Sequence, residues 1–279
     1  MIPFDKGIKI YGTGDKGYEQ DTKKVLELIK SFAVGSAVIK AIGVASDAKK
    51  TVLTVVPYKY DPKNDPEHLG PCNASTERQN EDAAEDGEHP DGDTYYLGRG
   101  DDPATRDHDE RYDKSTTKGT GAGSDADVHF TAGIWGQGKD CSKGKIGALP
   151  DELLLHEMVH ALRDMEGHRR AQPLEGGLKP YDNLEEYLAI LVANIYISAK
   201  DKTGKKAVPL RGGNSADEAL PDAQSTSVGF LKVSENAALL RRLWHQESSL
   251  FHDLNLVDWP RFNPIHELLT NPGKYGGSP

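Results

Sequence analysis

The chain has 279 residues, 36% of them hydrophobic, which suffices for one core or two small lobes. Its 34 basic and 44 acidic side chains leave a net charge of -10, and that balance argues against a nucleic-acid-binding face, which needs a basic stripe. No apolar run approaches the roughly 18 residues of a membrane span, and the opening MIPFDKGIKI lacks the basic-then-apolar layout of a signal peptide.

In chain order, residues 7–11 read as a short strand, and Asp21-Thr22 opens a helix carrying Val25, Leu26, Leu28, Ile29 and Phe32. Ala37 to Ala45 reads as a second short helix. Thr51 to Tyr58, rich in Val and Thr, reads as a strand. Residues 61–127 change character: Asp, Glu, Gly, Pro, Asn and Thr dominate, and the few aliphatics cannot offset the entropy of ordering them. This span is expected to be an acidic, loop-like insertion with one short strand at Tyr95-Tyr96-Leu97 and a possible exosite role. His68, His89 and His108 read as solvated loop residues, because no calcium-loop spacing surrounds them. Cys72 and Cys141 stand in no C-x-x-C spacing and bind no metal; one disulfide between them is open, and two unpaired thiols of a reducing compartment are the favoured reading.

Order returns at Asp127 to Trp135, where Val128, Phe130 and Ala132 alternate with His129 and Thr131; His129 is expected on the solvent face. Pro150, Asp151 and Glu152 then form a helix-start signature, with proline in the first turn and acids at the positive end of the helix dipole. Gly167 is the expected terminator. Leu154, Met158, Ala161 and Met165 fall on one stripe of this helix and Leu155, Val159 and Leu162 on the next, so it is mostly buried.

On its remaining strip the helix carries His156-Glu157-Met158-Val159-His160, an H-E-x-x-H motif. Two imidazoles four residues apart point the same way and can share one ion, while a carboxylate beside the open coordination position can take a proton from water. The pattern assigns His156 and His160 as zinc ligands and Glu157 as general base. Burying these polar groups in an apolar helix is costly without a metal or a partner. The H-E-x-x-H-x-x-G-x-x-H variant fails, since Arg163 and Glu166 occupy its Gly and third His positions, and His168 reads as a surface residue. A third ligand is expected on the next helix, which opens at Tyr181-Asp182-Asn183 and runs apolar through Ile197. Glu185 and Glu186 both enter it, and at least one of them should complete the site. Asp164 reads as a solvated helix charge. Ser234 to Trp244 is an amphipathic helix, Asp253 to Leu269 is punctuated by Pro260 and Pro264, and Asn271 to Pro279 reads as a frayed tail.

H-E-x-x-H followed by Glu185-Glu186-Tyr187-Leu188-Ala189 resembles the gluzincin-like metalloproteases used as bacterial toxins and effectors, the group of clostridial neurotoxin light chains, anthrax lethal factor and NleD-like effectors. The resemblance covers about residues 145 to 200. It implies that Glu186 is the third zinc ligand, that Glu185 holds a histidine or the neighbouring loop, and that Tyr181 stabilises the oxyanion. It also implies that the strand before the motif, here 127–135, rims the cleft and pairs with substrate. The expected fold is therefore α+β: one zincin-like domain over 1–279 with a small mixed sheet, an active-site helix, a glutamate helix and a helical C-terminal part. The expected activity is that of a Zn2+-dependent endopeptidase acting on protein or peptide, with no nucleic-acid partner, secreted or delivered into a target cell by a specialised apparatus. A zinc amidase of a non-protein amide and a non-catalytic zinc-structured module are the other readings.

Overall fold

The computed structural model describes residues 1–59, 72–80, 84–86, 117–119, 121–135, 141, 146–147, 149–170, 173–201, 208–214, 218–246 and 248–275. Its architecture is α+β. The expected strand at Tyr95-Tyr96-Leu97 and His68, His89 and His108 lie outside the described residues. Contacts divide the chain into two compact units, Met1–Ala83 with Gly119–Arg169, and Ala84–Lys118 with Arg170–Pro279.

The first unit holds a five-stranded mixed sheet in the order β1-β2-β3-β7-β4, formed by β1 (Ile2–Asp5), β2 (Ile8–Ile10), β3 (Leu53–Val56), β4 (Ser75–Arg78) and β7 (Ala126–His129). The three central strands run parallel, and an antiparallel strand closes each rim. Alternation sets which face is buried: Ile8, Ile10, Leu53, Val55, Ala126 and Val128 are all at 1% exposure or less, and Leu53 pairs with Ala126 and Val55 with Val128. β5 (Ala84–Asp86) and β6 (Thr117–Gly119) pair separately.

Two points differ from the expectation for this region. The strand at β7 was expected to rim the cleft, yet it is interior, and among the described residues β4 ends the sheet beside it. Moreover, three short strands, β4, β5 and β6, lie within the stretch read as loop-like. Ser75-Thr76-Glu77-Arg78 contains no apolar residue, so it shows no hydrophobic alternation; backbone pairing alone makes it a strand.

Helices α1 (Lys16–Lys30), α2 (Ala33–Lys49) and α3 (Pro150–Glu166) pack with one another, and α1 and α3 also pack against this sheet. α1 begins earlier than Asp21 because Asp15 caps it, accepting from the Gly17 N–H at 2.8 Å and the Tyr18 N–H at 3.1 Å. Tyr18 ties α1 to the sheet by donating to the Phe130 carbonyl at 3.0 Å. The α1 to α2 turn needs Gly35, where a Cβ would meet the Ile29 carbonyl oxygen at 2.1 Å. Cys72 and Cys141 form a disulfide with Cα atoms 5.4 Å apart, correcting the reading of two free thiols. Their sequence separation of 69 leaves no local signal that they meet.

The second unit is built on α4 (Leu184–Lys200), with α5 (Ser227–Leu231), α6 (Ser234–Gln246), α7 (Ser248–Asn255) and α8 (Pro264–Thr270). Leu188, Ile190, Val192, Ile195 and Tyr196 are fully buried. The polar residues of α4 are paired: Asn194 exchanges two 2.9 Å hydrogen bonds with the backbone of Arg211, and Ser198 accepts from the Phe262 N–H at 3.0 Å. Pro264 starts α8 as N1 behind an Asn263 cap, which explains the punctuation seen in the sequence. The expected frayed tail is held as far as Tyr275, whose hydroxyl and the neighbouring Lys274 ammonium both reach Glu267. No single helix among the described residues is long and apolar enough to cross a membrane; the α1–α2 pair passes on length and composition only and is bent by 109°.

Candidate metal centre

α3 positions the motif. Pro150 occupies the first turn, the Glu152 carboxylate accepts the Leu149 N–H at 3.3 Å, and Asp151 and Glu152 face the helix's positive end. Gly167, at φ 73°, takes the left-handed conformation that ends the helix. Every residue from Asp151 to Met165 is buried, as the double apolar stripe predicts. Relative exposure is 4% for His156, 7% for Glu157 and 7% for His160.

One turn apart, His156 and His160 present their Nε2 atoms to each other at 3.1 Å, with ring centroids at 4.8 Å and planes at 79°. Two neutral imidazole nitrogens facing in this way would oppose their lone pairs, so the arrangement needs a proton or a cation between them. Two nitrogens at 2.0 to 2.1 Å from one tetrahedral ion would stand about 3.3 Å apart, close to the spacing found. Among the described residues, the ligand atoms of His156, His160 and Glu186 all lie within 4.8 Å of one another, a group that could hold a metal ion. Two nitrogens and a carboxylate oxygen suit a borderline divalent ion, so the donor set fits zinc.

Glu157 is tethered. The Thr76 hydroxyl lies 2.8 Å from its Oε2 and 3.0 Å from its backbone carbonyl oxygen. Nothing in the sequence around Thr76 marks it, because it stands in the polar stretch read as a loop. Glu186 is half-buried, and its N–H donates to Asn183 Oδ1 at 3.0 Å. Glu185, at 3% exposure, accepts the Arg170 backbone N–H through Oε1, in the segment that follows α3. Tyr181 ends a 3-10 turn at Gly176–Tyr181 and packs edge-on against Tyr187 with ring centroids 4.9 Å apart. Burial pushes its phenol well above the ordinary tyrosine value.

Other polar residues near the motif have structural partners. Asp164, read as a solvated charge, has a fully buried carboxylate 2.9 Å from Arg169 Nη1. Basic Arg169 follows α3 by only three residues, close enough in sequence to return to it. Arg163 reaches around the helix end to the His168 carbonyl at 2.5 Å. His168 itself is exposed, as expected. His129 meets Glu77 at 3.1 Å across β7 and β4, with its side chain 29% exposed.

No family model matches this chain, and no curated protein or solved structure matches it either.

Proposed function

We propose that the chain is a zinc-dependent endopeptidase of the gluzincin-like kind, with zincin-like topology and the character of a bacterial effector or toxin. His156, His160 and Glu186 hold one zinc ion, and the 3.1 Å approach of the two Nε2 atoms is the observation that carries this reading. When bound, zinc supplies Lewis acidity toward a carbonyl oxygen and makes water a stronger acid. Glu157 then accepts the water proton on its carboxylate and passes it to the departing amine. Burial keeps the Tyr181 phenol protonated, the form able to donate to a developing oxyanion. Glu185, bonded to the Arg170 amide, fixes the segment leaving α3.

Among the described residues β4 is the terminal strand of its sheet, which favours a peptide substrate over a small amide, because an edge strand can accept an extended chain by backbone pairing. The role expected for 127–135 passes to β4. A net charge of -10 favours a basic substrate. The Cys72–Cys141 bridge supports export or delivery through an oxidising compartment.

Glu157→Gln tests the reading. The variant is expected to retain one metal ion per chain, measured by elemental analysis, and to lose hydrolysis of unfolded protein by about 10²- to 10⁴-fold. Undiminished proteolysis by the variant sinks the mechanism, and a zinc-loaded wild type that cleaves neither protein nor small amides identifies a non-catalytic module.

A further inference from the structure

We infer that Thr76 is the residue that positions the general base, an inference that rests on Glu157 having that role. β4 reaches it through register. Thr76 pairs with Val128 of β7, so its side chain shares the face of buried Val128, while Glu77 shares the opposite face with Asp127. Both strands pack against α3. A slip of one residue in one direction would present Glu77 to Glu157, carboxylate against carboxylate, and in the other direction Ser75, so the pairing that fixes the edge strand also fixes which group meets the base.

Among the described residues, Thr76 is the hydrogen-bond partner of the Glu157 carboxylate, and it touches two acceptors of that one residue, Oε2 at 2.8 Å and the backbone oxygen at 3.0 Å. A hydroxyl has one proton and two lone pairs. While Glu157 is a carboxylate, Thr76 donates to Oε2. Once Oε1 carries the proton taken from water, Oε2 is the carbonyl oxygen of the neutral carboxyl group and still accepts from the Thr76 hydroxyl. The same two residues therefore stay bonded before and after proton transfer, and Oε1 remains turned to the reacting water. Without the hydroxyl the carboxylate is free to rotate away during the cycle, which lowers the rate without touching the metal or the binding of substrate.

Thr76→Val tests this, because valine keeps the β-branched shape that suits the strand and removes only the hydroxyl. The expected result is a fall in kcat of about 10- to 100-fold, with KM changed by less than about twofold and with metal content at the wild-type level. Thr76→Ser, which restores the hydroxyl, is expected to recover most of the loss. Independently of activity, a crystal structure of zinc-loaded Thr76→Val is expected to show the Glu157 carboxylate rotated or split between rotamers. An unchanged kcat, a carboxylate found in its wild-type position, or a loss that serine does not restore overturns the proposal. Failure of the underlying reading is separately visible: the wild type and Glu157→Gln then hydrolyse equally, while the carboxylate position in Thr76→Val still reports on the tether.

Discussion

Asn183 caps α4 at the amide of Glu186, its Oδ1 accepting that N–H at 3.0 Å. The backbone of the proposed third ligand is thus held by a side chain that touches no metal. Asn183→Ala is expected to cost about 1 kcal/mol of stability, the usual worth of such a cap, measured from the urea midpoint. It should also weaken zinc binding, since the first turn carrying Glu186 frays. Wild-type zinc affinity in a destabilised Asn183→Ala would separate the cap from the site.

Metal binding should register as stability. With zinc at 100 times its dissociation constant, linkage gives about 2.7 kcal/mol, or roughly 5 to 8 °C in Tm for a chain of this size. EDTA should reverse the shift, and His160→Ala should abolish it. A zinc-induced shift of full size in His160→Ala would remove the histidine pair from the site.

Removing the disulfide should be expensive. A bridge across 69 residues constrains the unfolded chain by about 4 kcal/mol on the loop-entropy account. Cys72→Ala/Cys141→Ala is expected to unfold at lower urea concentration by a corresponding amount. Cys72 lies three residues before β4, so the reduced protein should also lose the proposed proteolytic activity before it loses global structure.

Alkaline pH should destabilise the fold. Burial raises the phenols of Tyr18, Tyr181 and Tyr187 above the ordinary value near 10. Below that value all three are protonated in both the folded and unfolded chains, and their contribution to stability is fully present. Above it the unfolded chain releases protons that the folded chain retains, so stability falls as pH rises. Urea midpoints between about pH 8 and pH 11 should decline chiefly above about pH 10, with phenolate absorbance appearing together with unfolding.

Tyr181→Phe should separate catalysis from packing. Its ring contact with Tyr187 survives the substitution, so the fold and metal content are expected to hold while kcat falls by about 10²- to 10³-fold, the range seen for an oxyanion donor. A fully active Tyr181→Phe protein would assign the oxyanion role elsewhere.

The helix carrying the motif was legible because its signals are local. Pro150, Asp151 and Glu152 start it, Gly167 stops it, and its apolar stripes mark it as buried. Asn183 announced the next helix in the same way. The Asp15 cap is equally local, yet Gly17 in the first turn is a weak helix former and Asp21-Thr22 offers a second start signal. What the sequence hides is tertiary. Strand order made β7 interior and gave β4 the rim, and no periodicity within either strand encodes a neighbour. Thr76 matters because pairing with Val128 turns it toward α3, and Asp164 is buried because Arg169 returns to it.

The burial of α3 also sets a clock. Its amides, enclosed from Asp151 to Met165, can exchange with heavy water only when the packed unit opens, so deuterium should enter this helix last. β4 is four residues long and ends its sheet, and should label early. Glu157 and Thr76 therefore join the slowest-breathing segment of the unit to one of its quickest, and momentary departures of the rim strand, not motions of the helix, should decide how often the proposed base is out of place.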